Sequence, residues 1–396
     1  MYNGISRRLL VLSALSVLLF ACSDEPTEQN ALLTPQLPFV AMAVRETTIV
    51  ATSGSTFKDP VAMNSTVNLV GRSGKYTAST VLAFYATYFP NRDTVNVISA
   101  TLYLHGASFY GDSTGQLSFT VHRLNHSWNQ ETLTWDSVQT DFYDPSVIRG
   151  NYSGRIGLDT EEVSIDLDTA MAREWMVTPP STEYTLRYGI ILVPTASATV
   201  VRGFQSFEND SASWVPSVRL ICRNVAGTVM DTATYNLGVD TFVGNVDGLD
   251  SDPKLAYVQA GIVYRSIMNF DVSLLPKGAI VNYALLTLHR DPATSWLNRF
   301  AADTAIAVHV MQGSATTSAF EATSAIAKLV PGSATTYTDN IAHAVQSWVR
   351  GPNYGLLLRT DGAREFNAFD LVTLYNYLAD STRVPRLKII YSVPKN

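Results

Sequence analysis

Six histidines, two cysteines and a few clustered carboxylates are the residues of this 396-residue chain best suited to chemistry. The histidines stand at 105, 122, 126, 289, 309 and 343. Such side chains would supply a metal site or an acid–base pair. Four of them recur in matched contexts, His105 with His289 and His122 with His309. An active site seldom comes in duplicate, so these four are read as strand histidines with ordinary hydrogen-bond partners. His343, in a helical segment, is read the same way. Glycoside hydrolysis would need two carboxylates flanking a bond. Glu131 with Asp136, and Glu161 with Glu162, are the nearest pairs, and neither has a motif around it. No G-x-S-x-G, H-E-x-x-H or phosphate-binding glycine loop occurs. No catalytic residue is assigned, and the chain reads as a non-enzyme.

Cysteine usage points elsewhere. Arg7 and Arg8 precede an apolar run from Leu9 to Leu19, which ends in Leu19-Phe20-Ala21-Cys22. That run is the length of a signal-peptide core and too short to span a bilayer. The ending resembles the lipobox of bacterial lipoproteins, which implies cleavage after residue 21 and lipidation of Cys22. Several acyl chains suffice for stable anchoring, at about 0.8 kcal/mol per buried CH₂. Ser23-Asp24-Glu25 resembles the acidic tract of surface-exported lipoproteins, so the expected location is the outer membrane or cell surface. Residues 22–45, with three prolines, read as a tether. Cys222 in VRLICR then has no intramolecular partner, and its alternating neighbours make it a buried, inert thiol.

Asp247, Asp250 and Asp252 in NVDGLDSD could supply oxygens to Ca²⁺. The commoner role for such a stretch is a solvated turn with Asx bonds, and no other cofactor is implied. Charged residues make up 16% and the net charge is −6, which argues against a nucleic-acid partner. Apolar residues at 46% describe a globular chain, and its length favours two domains.

The elements that position these groups come in two sets. LAFYATYFP (82–90) matches MNFDVSLLP (268–276), ATLYLH (100–105) matches ALLTLH (284–289), and FTVHRL matches IAVHVM. Trp175 is followed by YGIILVP, and Trp348 by YGLLLR. Ordered landmarks of this kind mark an internal repeat, with a seam near Asn224–Gly227. Residues 46–224 and 225–396 are therefore expected as two domains. Most landmarks alternate like strands or form short apolar runs between turns. The exceptions are Asp168–Trp175 and Ile341–Trp348, where Ile341, Val345 and Trp348 share a helical face. The expected fold is all-β, two tandem antiparallel jelly-roll-like β-sandwiches with one short helix each.

Each repeat resembles the DNRLRE-type domain, close to carbohydrate-binding module family 96. The first carries Val121-His122-Arg123, then Trp128, Glu131, Thr134 and Trp135, and Phe204, Ser206 and Glu208. The second carries Phe270-Asp271 with Leu275-Pro276, Asn353 through Leu358, and Pro385 through Tyr391. Tyr85 replaces the Asp expected after Phe84, and the second repeat lacks the W-x-E-x-x-x-T-W segment. The resemblance implies polysaccharide binding. It also implies core positions for Trp128, Trp135, Trp175 and Trp348. Trp296, Trp214 and Tyr110, in polar loops or at a hairpin end, are the expected sugar-stacking rings. Arg299, Arg149 and Arg359 are candidates for an anionic sugar. Contact with protein partners, as a structural or adhesion protein, is the competing expectation.

Overall fold

The computed structural model describes residues 41–395, apart from 60–65, 86, 89–94, 139–140, 158–160, 178–187, 208–213, 229, 250–251, 299–304 and 323–324. Cys22, Arg299 and Asp250 lie outside the described residues.

The chain is all-β and mainly antiparallel. The first repeat supplies β1 (Met42–Lys58), β2 (Val67–Ser73), β3 (Tyr76–Phe84), β4 (Thr87–Tyr88), β5 (Val95–Gly111) and β6 (Leu117–Arg123). It continues with β7 (Gly150–Gly154), β8 (Glu162–Asp166), β9 (Met176–Val177), β10 (Ile190–Pro194), β11 (Val200–Gln205) and β12 (Ser217–Asn224). The second supplies β13 (Met230–Val246), β14 (Leu255–Gln259), β15 (Tyr264–Phe270), β16 (Ile280–His289) and β17 (Ile306–Val310). After these come β18 (Ala325–Leu329), β19 (Thr336–Asn340), β20 (Leu356–Thr360), β21 (Leu371–Tyr375) and β22 (Arg386–Pro394).

Helices α1 (Thr169–Glu174) and α2 (Ala342–Arg350) fall on the two spans expected to be helical. The Asp168 carboxylate accepts from the Ala170 amide and caps α1. Ile341, Val345 and Trp348 are all buried, as their spacing requires. A further short turn, α3 (Gly362–Glu365), has no periodic signal in the sequence.

The pairings of the two repeats correspond. In the second, β1-β22-β16-β19-β18-β17-β20-β15 run in order and β15 returns to β1, so eight strands close on themselves. β14 and β21 extend the sheet from β15. In the first, the order is β13-β12-β5-β11-β2-β3-β10-β6-β7, with β8 on β5 and β3 back on β13. A Gly150–Leu167 bridge stands where β18 pairs β19 in the other repeat.

The opening strand of each repeat sits in the sheet of the other, which no local pattern in the sequence predicts. β13 lies between β12 and β3, and β1 lies between β22 and β15. The seam at residues 224–225 is the start of the β12–β13 hairpin, and both repeats belong to one compact unit, Val44–Ser392. The described chain ends, 41–43 and 393–395, form a small unit of their own, in which the Lys395 amide donates to the Ala41 carbonyl at 2.8 Å.

The core of the first repeat packs Leu82, Phe84, Leu102, Phe119 and Ile190 under Trp175. Tyr235 of β13 joins it, its hydroxyl donating to the Ala172 carbonyl at 2.7 Å. Cys222 is buried in that core, as expected, and burial pushes its thiol pKa up.

Candidate ligand groove

Two of the expected stacking rings are held by packing, Tyr110 in the core and Trp296 half-buried against it. Tyr110 is 2% exposed, because β5 runs on to Gly111 instead of ending before the hairpin. Its hydroxyl accepts from the Phe369 amide at 2.7 Å. Trp296 stacks on Tyr76 at 4.0 Å with 2° between the planes, and on Tyr110 at 4.9 Å. Phe369 meets Trp296 edge-on at 5.8 Å. The Trp296 loop is tied to β21 by two backbone hydrogen bonds with Leu371. Tyr76 and Tyr110 come from the first repeat, and Trp296 and Phe369 from the second. These rings are therefore the packed junction between repeats, not a platform for sugar. Burial pushes the Tyr76 hydroxyl pKa up to about 12. It raises that of Tyr110 as well, with the Asp370 carboxylate adding to the effect.

Trp214 remains half-buried, offset-stacked on His105 at 6.4 Å. Arg149 pairs with Asp168. Arg359 pairs with Glu365, which is fully buried and also accepts two bonds of 3.0 Å from Arg265. Of the three arginines expected to face an anionic sugar, the two described ones are thus engaged by carboxylates. Asp247 and Asp252 are exposed. Asp247 accepts from the Asn245 amide group at 3.0 Å and sits 3.9 Å from Arg72. Asp252 accepts from the Lys254 backbone at 2.9 Å, an Asx turn. Among the described residues no cluster of three His, Cys, Asp or Glu side chains is arranged to hold a metal.

Of the repeated histidines, His122 and His309 anchor loops. His122 Nδ1 lies 3.1 Å and 3.0 Å from the carbonyls of Asp144 and Val147. His309 Nδ1 lies 2.8 Å from the Glu321 carbonyl. A carbonyl only accepts, so Nδ1 carries the proton in both rings. His122 Nε2 then accepts from the Thr120 hydroxyl at 2.8 Å. Burial lowers the pKa of His309. Each ring also packs on an aromatic, His122 on Tyr143 at 5.0 Å and His309 on Phe320 at 4.8 Å. The corresponding bridges are Leu124–Tyr143 and Met311–Phe320. The first spans 19 residues (143 − 124) and the second 9 (320 − 311). The first repeat therefore carries ten extra residues on a shared frame.

Those extra residues build a groove. It has a volume of about 620 Å³ and is lined by His126, Ser127, Trp128, Asn129, Asp141 and Phe142, among others. Leu133 and Phe142 anchor the loop by packing against Val81, Ile191 and Val243. The Asn129 side chain accepts from the Glu131 amide at 2.7 Å and turns the chain. Trp128 is half-buried, and its indole N–H donates to the Tyr188 carbonyl at 2.9 Å, which fixes the ring. His126, Ser127, Asn129 and Asp141 are exposed around it. Trp135, in the same loop, is also only half-buried, whereas Trp175 and Trp348 are buried. Of the four tryptophans expected in the core, two are there.

A fixed indole ringed by donors and acceptors can stack on the C–H face of a sugar and bond its hydroxyls. The sequence signal for this groove is the insertion itself, visible as extra length between His122 and its neighbouring landmarks. No protein-family model matches the chain, and no curated protein matches it.

Proposed function

We propose that this chain is a non-catalytic lipoprotein of the outer membrane or cell surface that binds polysaccharide. In this reading Cys22 carries the lipid, and the two repeats are jelly-roll-like sandwich modules of the DNRLRE type. The Trp128 groove is the sugar site. One observation carries the reading: a ten-residue elaboration, present in one repeat only, holds a fixed indole among exposed polar side chains. The fold does not need it, because the second repeat closes its sheet without it. The sequence supports the envelope location through the apolar run ending at Cys22.

A second reading, adhesion to protein partners, draws support from exposed apolar side chains. Tyr188, whose carbonyl holds Trp128, is 51% exposed, and Ile148 is 56% exposed. Two experiments separate these readings. Mass spectrometry of the membrane fraction should find Cys22 lipidated in the wild type, and Cys22→Ser should leave an uncleaved or soluble precursor. A glycan array probed with the purified chain should return polysaccharide hits. A blank array with a lipidated chain would favour adhesion. An unmodified Cys22 would remove the envelope assignment.

A further inference from the structure

Each repeat houses the other's opening strand, but the two strands reach their places differently. β13 follows β12 through the hairpin at Asn224–Gly227, so chain adjacency fixes it beside β12. β1 has no such neighbour. Its contacts on β15 lie more than 200 positions away: Thr56 with Ser266 at 2.8 Å, and Asn269 with Ser53 at 3.1 Å. On the β22 side, the Ala51 amide donates to the Pro385 carbonyl, and Glu46 pairs with Lys388 at 3.0 Å. Its own repeat cannot take it back, because β13 fills the equivalent slot between β12 and β3.

We infer that the slot between β15 and β22 also accepts Met42–Lys58 from a second copy of this chain, giving a reciprocal strand-exchanged dimer. The seat has side-chain specificity. Ile49 and Ala51 are buried, Phe57 packs beside Ile267 and Leu357, and Asp59 pairs with Arg265. Exchange leaves each of these contacts in place and changes only which molecule supplies the strand. β1 is tied to β2 of its own chain by eight residues, 59–66, so the two copies compete for the slot against the effective concentration that this tether sets. If the strand's effective concentration in its own chain is on the order of 1 mM, roughly a tenth of chains exchange at ~0.1 mM.

Disulfide trapping in the full chain tests this. Ser53 and Asn269 are register partners with touching side chains. Two differently tagged chains, one Ser53→Cys and one Asn269→Cys, are produced together and oxidised. The expected product is a disulfide-linked species of twice the mass carrying both tags. Val50→Cys, exposed and out of register, paired with Asn269→Cys should give none. The double variant Ser53→Cys/Asn269→Cys should cross-link within single chains. If the double variant cross-links and the mixed pair never does, exchange is overturned. Equal cross-linking from Val50→Cys would mark the mixed product as collisional and overturn exchange as well. Failure of the double variant would remove β1 from its seat and the inference with it.

Discussion

Trp128 and Trp296 both sit in loops of polar sequence, and their surroundings give them opposite roles. Trp296 is sandwiched by Tyr76 and Tyr110, some 200 residues earlier in the chain. No local pattern records that partner, so DPATSW reads as an exposed loop. Trp296→Ala should therefore act on stability, by about 1–3 kcal/mol for a half-buried, stacked ring, seen as an earlier urea midpoint. The same junction should respond to pH. The folded Tyr76 and Tyr110 hydroxyls have pKa values raised above that of a free tyrosine by burial. A raised folded pKa contributes stability that is full below the unfolded value of about 10. That stability is lost as pH rises from there toward the folded value, about 12 for Tyr76. Urea midpoints should drop between about pH 10 and pH 12. The double variant Tyr76→Phe/Tyr110→Phe should flatten that drop, and an unchanged slope would show that these hydroxyls are not the titrating groups.

At the scale of elements the repeated YG pairs have a backbone cause. Gly189 and Gly355 enter β10 and β20 at φ of +90° and +89°. A Cβ on Gly189 would stand 1.9 Å from the Leu82 carbonyl oxygen, and one on Gly355 2.8 Å from that of Met268. Gly189→Ala should cost about 2 kcal/mol or more, from strain and collision together, measurable as an earlier thermal transition with an unchanged far-UV spectrum. Helices α1 and α2 were legible for a related reason: their signal is local, a cap at Asp168 and the buried face of Ile341, Val345 and Trp348. The Trp128 loop was not, because its tryptophans match positions that the resembling family implies to be core. The extra length after His122 is visible in the sequence, and the bridge pairs Leu124–Tyr143 and Met311–Phe320 fix it at ten residues.

For the whole molecule, the repeat and its all-β character were readable, whereas the exchange of β1 and β13 was not. Strand partners beyond a hairpin leave no mark in periodicity, and β1 pairs with residues at the far end of the chain. Fragments 44–226 and 227–392, produced together, should therefore elute as one complex and melt in one transition. Two independent modules would instead separate and melt independently. The function itself rests on the groove. Isothermal calorimetry of the purified chain against a panel of polysaccharides, alongside Trp128→Ala and Trp296→Ala, tests it most directly. The groove reading predicts that wild type binds at least one polysaccharide. Trp128→Ala should weaken that binding about tenfold, since loss of one stacking contact is worth roughly 1 kcal/mol or a little more. Trp296→Ala, held below its lowered melting point, should keep the wild-type affinity. Binding unchanged in Trp128→Ala, or no binding by wild type to any polysaccharide, would contradict it.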